Sequence, residues 1–436
     1  MNTALNTAEV PMAVRDGGEG RLRICMERFM ADFNAMASFG RNQNGGIDRS
    51  FASPEDRRVR QWILGRWRAM GLEVSVDPIA NLWGRLEGEE NLPPIVIGSH
   101  HDAVPDGGRY DGAMGVMMAT EAARTLIENG VRLRHPLCLI SFTAEEPNTF
   151  NLSTLGSKVV CGRLKKEDLA EVRDRSGQIR LTDALKELGG DPDHLERARI
   201  RPGGISCFLE AHNELGRQLE SAGRRISGVS MITGLYREKV RITGEANHAG
   251  TTMMQDRRDA SLALDEMALA LERAARERRS PNVTATMGYV KLSPNEANII
   301  PGSAEGVIDI RTSKEEDLNA LLAALDAASA ECGRKRKVRV ERECILSQKA
   351  QPMDGEIAEA VQRGIRAVDE PPGSVISMAG HDAANMQRIA PSGMIFVRSV
   401  GGYGHCRREY CREEDMEKAA NAMLETIRIL DEQMED

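Results

Sequence analysis

The stretch PIVIGSHHDAVPDGGRYDG (94–112) joins a short apolar run to a segment rich in His, Asp and Gly. A second stretch, LCLISFTAEE (137–146), likewise ends an apolar run in polar residues, here two glutamates. Continuous apolar runs of this length, bounded by turn residues, are typical of strands buried on both faces of an α/β sheet. Open α/β sheets place their sites outside the carboxyl ends of such strands. The two stretches therefore predict an α/β domain with a site at its strand ends.

The pattern on either side of these stretches predicts two domains. Segment 53–71 has apolar residues at helical spacing after a cap-like Ser53, and a Gly/Ala/Met-rich helix is predicted over 112–128. Between 229 and 347 the elements follow the order β-α-β-β-α-β, which is typical of a ferredoxin-like unit. Helices are expected again at 355–368, after GHDAAN (380–385) and from about 412.

The predicted fold is thus a doubly wound mixed-sheet catalytic domain, formed by 1–228 and 348–436. A ferredoxin-like lid or dimerisation domain, 229–347, is inserted into it.

Composition excludes several classes of protein. The 436 residues are 41% hydrophobic and 28% charged, which is typical of globular chains. A net charge of −8 argues against nucleic acid or an anionic membrane as the main partner, and the basic run RKRKVRVER (334–342) is interpreted as the solvated start of an edge strand. No apolar run is long enough to span a membrane, and residues 1–20 lack the features of a secretory signal. Eight cysteines without a CxxC pair favour reduced thiols and a cytoplasmic location.

Histidines are few and concentrated in polar motifs. Of eight, six lie beside Gly, Asp or Glu in short segments, among them GSHHD, EAHNE, NHAGTT and GYGH. Carboxylates and neutral imidazoles at strand ends are the ligands that a pair of Zn²⁺, Mn²⁺ or Co²⁺ ions requires. We therefore expect two divalent metal ions per subunit.

These motifs resemble those of the dinuclear-metal aminoacylase/carboxypeptidase superfamily. The similarity is strongest to its N-carbamoyl-L-amino-acid hydrolase, allantoate amidohydrolase and β-ureidopropionase branch. It extends from GIDRSFASPEDRRVR (46–60) to GHCRREYC (404–411), with LEAHNELG (209–216) and NHAGTTMMQDRRDA (247–260) as local signatures. The resemblance implies hydrolysis of the C–N bond of an N-carbamoyl- or N-acyl-L-amino acid, or an allantoate-like compound, by a metal-activated water.

The resemblance also assigns roles to residues of the catalytic domain. It implies that Asp111 is shared by both metals, that His100 and His212 complete the first site, and that Glu146 and His405 complete the second. Asp102 would orient His100, and Glu145 would be the general base. His101 has no implied metal role.

Substrate contacts are implied mainly in the inserted domain. His248 would act as a lid histidine that reaches into the partner subunit's site and polarises the scissile carbonyl, so a homodimer through this domain is expected. Asn298 and Arg311 would bind the small-molecule substrate, because a planar guanidinium suits a carboxylate. In the catalytic domain, Leu215 would also contact the substrate; it stands beside the metals, where the branch usually has glutamine.

The chain departs from the branch at Pro147, Leu215, Gly404 and Arg407, none of them an implied ligand. We expect intact catalytic machinery with an altered pocket, in which a plain ureido group is less favoured. Two alternatives remain open: an aminoacylase or dipeptidase of the same superfamily, or a catalytically silent dimeric binding protein.

Overall fold

The computed structural model describes residues 21–434. The expectation about a secretory signal concerns residues 1–20, which lie outside this range. The strands are β1 (Glu73–Val76), β2 (Leu82–Leu86), β3 (Ile95–His100), β4 (Leu137–Phe142), β5 (Cys207–Asn213), β6 (Ile226–Ile232), β7 (Gly234–Thr243), β8 (Asn247–His248), β9 (Val283–Ser293), β10 (Ile299–Ile300), β11 (Ser303–Thr312), β12 (Arg339–Gln348), β13 (Gln351–Pro352), β14 (Ser374–Ser377) and β15 (Ser392–Val397).

The α-helices are α1 (Met26–Met36), α2 (Pro54–Ala69), α3 (Ala113–Glu128), α4 (Leu155–Val160), α5 (Lys166–Leu169), α6 (Leu181–Glu187), α7 (Gln218–Ser221), α8 (Ala260–Glu277), α9 (Glu315–Arg336), α10 (Gly355–Ala367), α11 (Asp382–Met386) and α12 (Glu413–Gln433). None of the described helices is long and apolar enough to cross a membrane. All eight cysteines are unpaired.

The chain forms two compact units. The first contains the described residues up to Ser230, Met353–Val375 and the described residues from His381 onward. The second contains Met231–Pro352 and Ile376–Gly380. The first unit is therefore built from separate parts of the sequence.

A nine-stranded mixed sheet has the order β1-β2-β4-β3-β5-β15-β6-β13, with β14 also paired to β6. Its central strands β4, β3, β5 and β15 are parallel, whereas β2 pairs with β4 and β6 with β15 in the antiparallel sense. Every residue of β3, β4 and β5 is buried, as the continuous apolar runs of β3 and β4 predict; β5, with Glu, His and Asn in its second half, was not predicted from the sequence. The predicted mixed α/β class is confirmed.

Helix α2 shows how local sequence fixes an element of this unit. The Ser53 hydroxyl accepts a hydrogen bond from Asp56 N at 3.1 Å, so the helix begins where the cap residue predicts. Val59, Ile63 and Trp67 lie on one face and are buried in the main hydrophobic core. The predicted segment therefore folds as an amphipathic helix against that core.

The second unit contains a four-stranded antiparallel sheet in the order β12-β7-β11-β9. Along the chain its elements follow as β7, α8, β9, β11, α9 and β12, which is the predicted βαββαβ order. Its own core includes Val240, Leu264, Ile308 and Leu325.

Two details of the sequence interpretation are wrong. The basic run 334–342 does not start a strand: its first residues end α9, where positive charge complements the helix C-terminus, and β12 begins only at Arg339. The helix expected after GHDAAN lies largely within that motif, as α11, because Asp382 already begins it and the turn at Gln387 ends it.

Candidate metal centre

The predicted ligands meet at the carboxyl ends of three neighbouring parallel strands. His100 is the last residue of β3, and His212 lies near the end of β5. Glu145 and Glu146 follow β4 after a short turn in which Ala144 has a φ of 52°. Because β4, β3 and β5 are adjacent, their side chains converge at the same end of the sheet.

One group of possible metal ligands consists of His100, Asp111 and His212, whose ligand atoms all lie within 4.8 Å of one another. Asp111 Oδ1 is 3.4 Å from Nε2 of His100 and 3.1 Å from Nε2 of His212. The other ring nitrogens face backbone carbonyls, at 3.2 Å for His100 and 2.9 Å for His212. Each Nδ1 is therefore placed to donate a proton, which leaves the Nε2 lone pairs directed inward.

Gly112 is a requirement of this arrangement. Its φ is 61°, and a Cβ there would lie 2.3 Å from His100 Nε2. Its N–H donates to His212 Nε2 at 3.2 Å, which agrees with a lone pair on that nitrogen. The RYDG sequence thus brings Asp111 against both imidazoles with no side chain in the way.

A second group consists of Asp111, Glu146 and His405 and shares Asp111 with the first. His405 Nε2 lies 3.4 Å from Asp111 Oδ2 and 3.3 Å from Glu146 Oε1. Both of these carboxylate oxygens are buried and have no hydrogen-bond partner among the described residues. Buried charged oxygens without partners are costly, so the donor set fits a bound cation better than an empty pocket.

The pKa values show the same excess of negative charge. Burial, together with the nearby carboxylates, raises the pKa of Glu145 and of Glu146 well above the ordinary value. Burial and the charge of Asp111 raise the pKa of Glu409 to about 8. Burial also raises the pKa of Asp111, but the nearby imidazoles of His212 and His100 lower it by more, so the pKa of Asp111 falls well below its usual range. A divalent cation would relieve this repulsion.

Asp102 and Glu145 lie beside the first group. The carboxylate of Asp102 is 3.5 Å from His100 Nδ1, slightly farther away than the backbone carbonyl oxygen of Asp102, which is at 3.2 Å. The same carboxylate accepts hydrogen bonds from the backbone N–H groups of Glu145 at 3.2 Å and Glu146 at 3.1 Å. Asp102 therefore joins the end of β3 to the turn after β4. Glu145 Oε2 is 3.7 Å from His100 Nε2.

Several residues behind the site were not assigned from the sequence. Asp56 Oδ1 accepts from Arg60 Nε at 2.9 Å and lies 2.8 Å from His101 Nε2, and all three side chains are buried. Arg60 also donates to the Thr143 hydroxyl at 3.1 Å. Helix α2 thus contacts the residues next to His100 and the turn before Glu145. The segment SPEDRRVR was predicted as a helix start and is part of the family resemblance, but its charged residues were given no role, although their place on the buried face was a signal.

Two further motif residues also pack against the predicted ligands. The ring of His381, from AGHDAAN, lies 4.5 Å centroid to centroid from that of His212. Glu409, the last residue of GGYGHCRRE, is buried beside Asp111 and His405. The motifs were identified from the sequence, but these two residues received no role there.

Leu215 follows the end of β5 and has a φ of 58°. A Cβ on Gly404 would lie 2.8 Å from Leu215 Cδ2, so these two departures from the branch are in contact. Arg407 Nη1 lies 3.7 Å from Asp106 at the surface. Pro147 is exposed immediately after Glu146.

The remaining predicted residues belong to the second unit. His248 is exposed and pairs with Ile299 between the short strands β8 and β10, while Ala249 N donates to the carbonyl of Asn298 at 2.9 Å. Arg311 donates to Asp309 at 3.1 Å and to the Met378 carbonyl at 3.0 Å. His248 and Asn298 are therefore neighbours within this unit.

The fold and these side chains define an α/β protein with two adjoining groups of possible metal ligands. The model of peptidase family M20/M25/M40 matches residues 96–429, and the chain belongs to this family. An N-carbamoyl-L-amino acid amidohydrolase of Geobacillus stearothermophilus is 34% identical over 402 residues, covering 92% of this chain and 97% of that protein. A ureidoglycolate hydrolase of Oryza sativa subsp. japonica is 32% identical, covering 92% and 84%.

Solved structures give the same result. The crystal structure of an amidase of the hydantoinase/carbamoylase family from Burkholderia multivorans has a TM-score of 0.83 at 29% identity. The alignment covers 93% of this chain and 98% of that one.

Proposed function

We propose that this protein is a metal-dependent amidohydrolase that cleaves the C–N bond of an N-carbamoyl- or N-acyl-L-amino acid, or of an allantoate-like compound. The observation that carries the proposal is the pair of ligand groups that share Asp111, with Glu145 beside them. His100 and His212 would complete the first metal site, and Glu146 and His405 the second. Zn²⁺, Mn²⁺ or Co²⁺ suits these nitrogen and oxygen ligands.

The reaction class has independent support. The family is a hydrolase family, and the relatives named above are amidohydrolases or hydrolases of ureido compounds over nearly the whole chain. The protein is accordingly a hydrolase of carbon–nitrogen bonds in linear amides or ureido groups.

The arrangement of side chains supports the proposed catalytic roles. Divalent cations, when bound, supply Lewis acidity that polarises a carbonyl and lowers the pKa of a coordinated water. Glu145, whose Oε2 lies 3.7 Å from His100 Nε2, would be the general base that takes a proton from the attacking water and passes it to the leaving nitrogen. Asp102 would hold His100 and Glu145 in position relative to each other, because its carboxylate contacts both.

The second unit would supply the substrate contacts. His248 Nδ1 accepts the N–H groups of Gly250 at 3.0 Å and Thr251 at 3.2 Å, so its Nε2 carries the hydrogen. An exposed ring in this tautomer can donate to a carbonyl oxygen. Arg311, with Asn298, would bind the substrate carboxylate.

A homodimer through the second unit forms part of the proposal, because His248 would serve the partner's site. Seven of the nine large apolar residues that the described chain exposes are on this unit, and six of these seven are on or near α8 and β9: Met253, Met254, Leu262, Leu269, Tyr289 and Val290. Strand β9 is also an edge strand, and two-fold pairing would cover its free hydrogen-bonding groups.

The test is a substrate screen on apo protein reloaded with Mn²⁺, Co²⁺ or Zn²⁺. N-carbamoyl amino acids, allantoate, N-acetyl amino acids and dipeptides are compared, with release of ammonia or amine as the readout. We expect hydrolysis of the N-carbamoyl, allantoate or N-acyl compounds that chelator abolishes and metal restores. Cleavage of N-acetyl amino acids or dipeptides without activity on ureido compounds would favour the aminoacylase or dipeptidase alternative. Full metal loading without hydrolysis would favour the binding protein.

A further inference from the structure

Glu409 is a buried carboxylate that the proposed chemistry does not use. Its exposed fraction is 5%, and it lies four residues after His405 in the last polar motif. A buried carboxylate requires hydrogen-bond donors, and the donors of Glu409 identify the groups that it positions.

Its two oxygens accept backbone N–H groups from two different ligand segments. Oε1 accepts from His405 N at 2.9 Å, and Oε2 accepts from Asp111 N at 3.3 Å. Asp111 and Glu409 are separated by 298 positions in sequence. One carboxylate thus joins the loop that carries the shared ligand to the loop that carries the final one.

The fit around this carboxylate is tight. A Cβ on Gly108 would lie 1.9 Å from Glu409 Oε2, so the Asp111 loop passes directly over the carboxylate. His405 has a φ of 54°, a backbone conformation that costs free energy in a residue with a side chain. The bond from His405 N to Oε1 is therefore well placed to stabilise this conformation.

We propose that Glu409 is a positioning residue for the paired metal site, holding the backbones of Asp111 and His405 so that Asp111, Glu146 and His405 form one site. The inference rests on the proposed function, since it assumes that these groups bind metal. The two hydrogen bonds that Glu409 accepts come from the backbones of Asp111 and His405, not from Glu146 or from the imidazoles of His100 and His212. Its loss should consequently weaken the second metal site more than the first.

Glu409→Gln is the main variant, because it keeps the shape but turns one acceptor into an amide that cannot accept an N–H. Glu425→Gln is the matched control: Glu425 is 8% exposed, lies on α12 and contacts Arg428 rather than the site. Apo protein is titrated with Co²⁺, followed by visible absorption and calorimetry, and the thermal unfolding of each apo form is recorded.

Partners of metal ligands typically contribute 10–100-fold to metal affinity. We expect Glu409→Gln to weaken one of the two Co²⁺ ions by about that factor and the other less, with apo unfolding near that of the control. The proposal would be overturned if the variant bound both ions with wild-type affinity. It would also be overturned if both ions lost affinity equally and the apo variant unfolded at a lower temperature than the control.

A second variant covers failure of the first to fold. Gly108→Ala places a methyl group against Oε2 and should produce the same selective loss; unchanged binding of both ions would again overturn the proposal. If the wild-type protein binds no Co²⁺ at these residues, the proposed function itself is wrong. That result differs from failure of the Glu409 proposal, in which the wild type binds Co²⁺ but the variants bind it equally well.

Discussion

Replacing Asp56 with alanine tests whether α2 anchors the strand ends that carry the site. The carboxylate is fully buried and is contacted by Arg60 Nε at 2.9 Å, His101 Nε2 at 2.8 Å and Ala52 N at 2.8 Å. Its removal leaves the Arg60 guanidinium buried without its partner. Breaking a buried ion pair from one side costs about 3–5 kcal/mol, so we expect a loss of that size in the free energy of unfolding of the first unit.

The assay is guanidinium unfolding followed by tryptophan fluorescence. All three tryptophans, Trp62, Trp67 and Trp83, belong to the first unit, so the signal reports that unit alone. Glu55→Ala is the control on the same helix, because Glu55 pairs with Arg58 at the surface and such pairs contribute about 0–1 kcal/mol. The reasoning is refuted if Asp56→Ala costs no more than the control.

The pH dependence of this effect has a defined sign. Burial raises the pKa of Asp56, but Arg60 and His101 outweigh it and bring the value to about 2, from 3.8 ordinarily. A carboxyl whose pKa is lowered in the folded chain stabilises it above the ordinary value, and this stabilisation disappears as the pH falls through the lowered one. The difference between wild type and Asp56→Ala should therefore be full at pH 7 and shrink between about pH 4 and pH 2.

Three further substitutions test the proposed chemistry. Glu145→Gln should keep the bound metals but lower turnover about 10²–10⁴-fold; activity within a few-fold of wild type would exclude Glu145 as the base. Leu215→Gln should raise activity on N-carbamoyl amino acids relative to the native substrate, and an unchanged ratio would separate this residue from substrate choice. Mixing Glu145→Gln with His248→Ala protomers should restore up to about a quarter of wild-type activity after random exchange, since half the dimers then hold one complete site. No recovery after verified exchange would place His248 in its own subunit or outside catalysis.

The strands β3 and β4 and the polar segments at their ends could be predicted from local signals, whereas the individual metal ligands were implied by the family resemblance and stay a prediction. Continuous apolar runs identified β3 and β4, and the polar residues that follow them could only lie at the strand ends. For α2, Ser53 predicted the helix start that the structure has.

The supporting contacts could not be predicted, because they join residues far apart in sequence. Glu409 meets Asp111 across 298 positions, and Arg60 reaches Thr143 across 83. Nothing local in a charged residue tells whether it will be solvated or buried against such a partner. The prediction that the basic run 334–342 starts a strand was wrong for a related reason. Its alternating residues fit a strand, but α9 continues through Arg336.

The metal content of wild type and of Asp111→Ala tests the central claim most directly. Each protein is stripped with chelator, titrated with Mn²⁺, Co²⁺ or Zn²⁺, and counted by elemental analysis after removal of free ions. We predict two ions per wild-type chain, about 3.5–4 Å apart. Neither ion should be retained at wild-type affinity in Asp111→Ala, because both sites lose their shared ligand. One ion still bound to Asp111→Ala as tightly as to wild type would contradict the account.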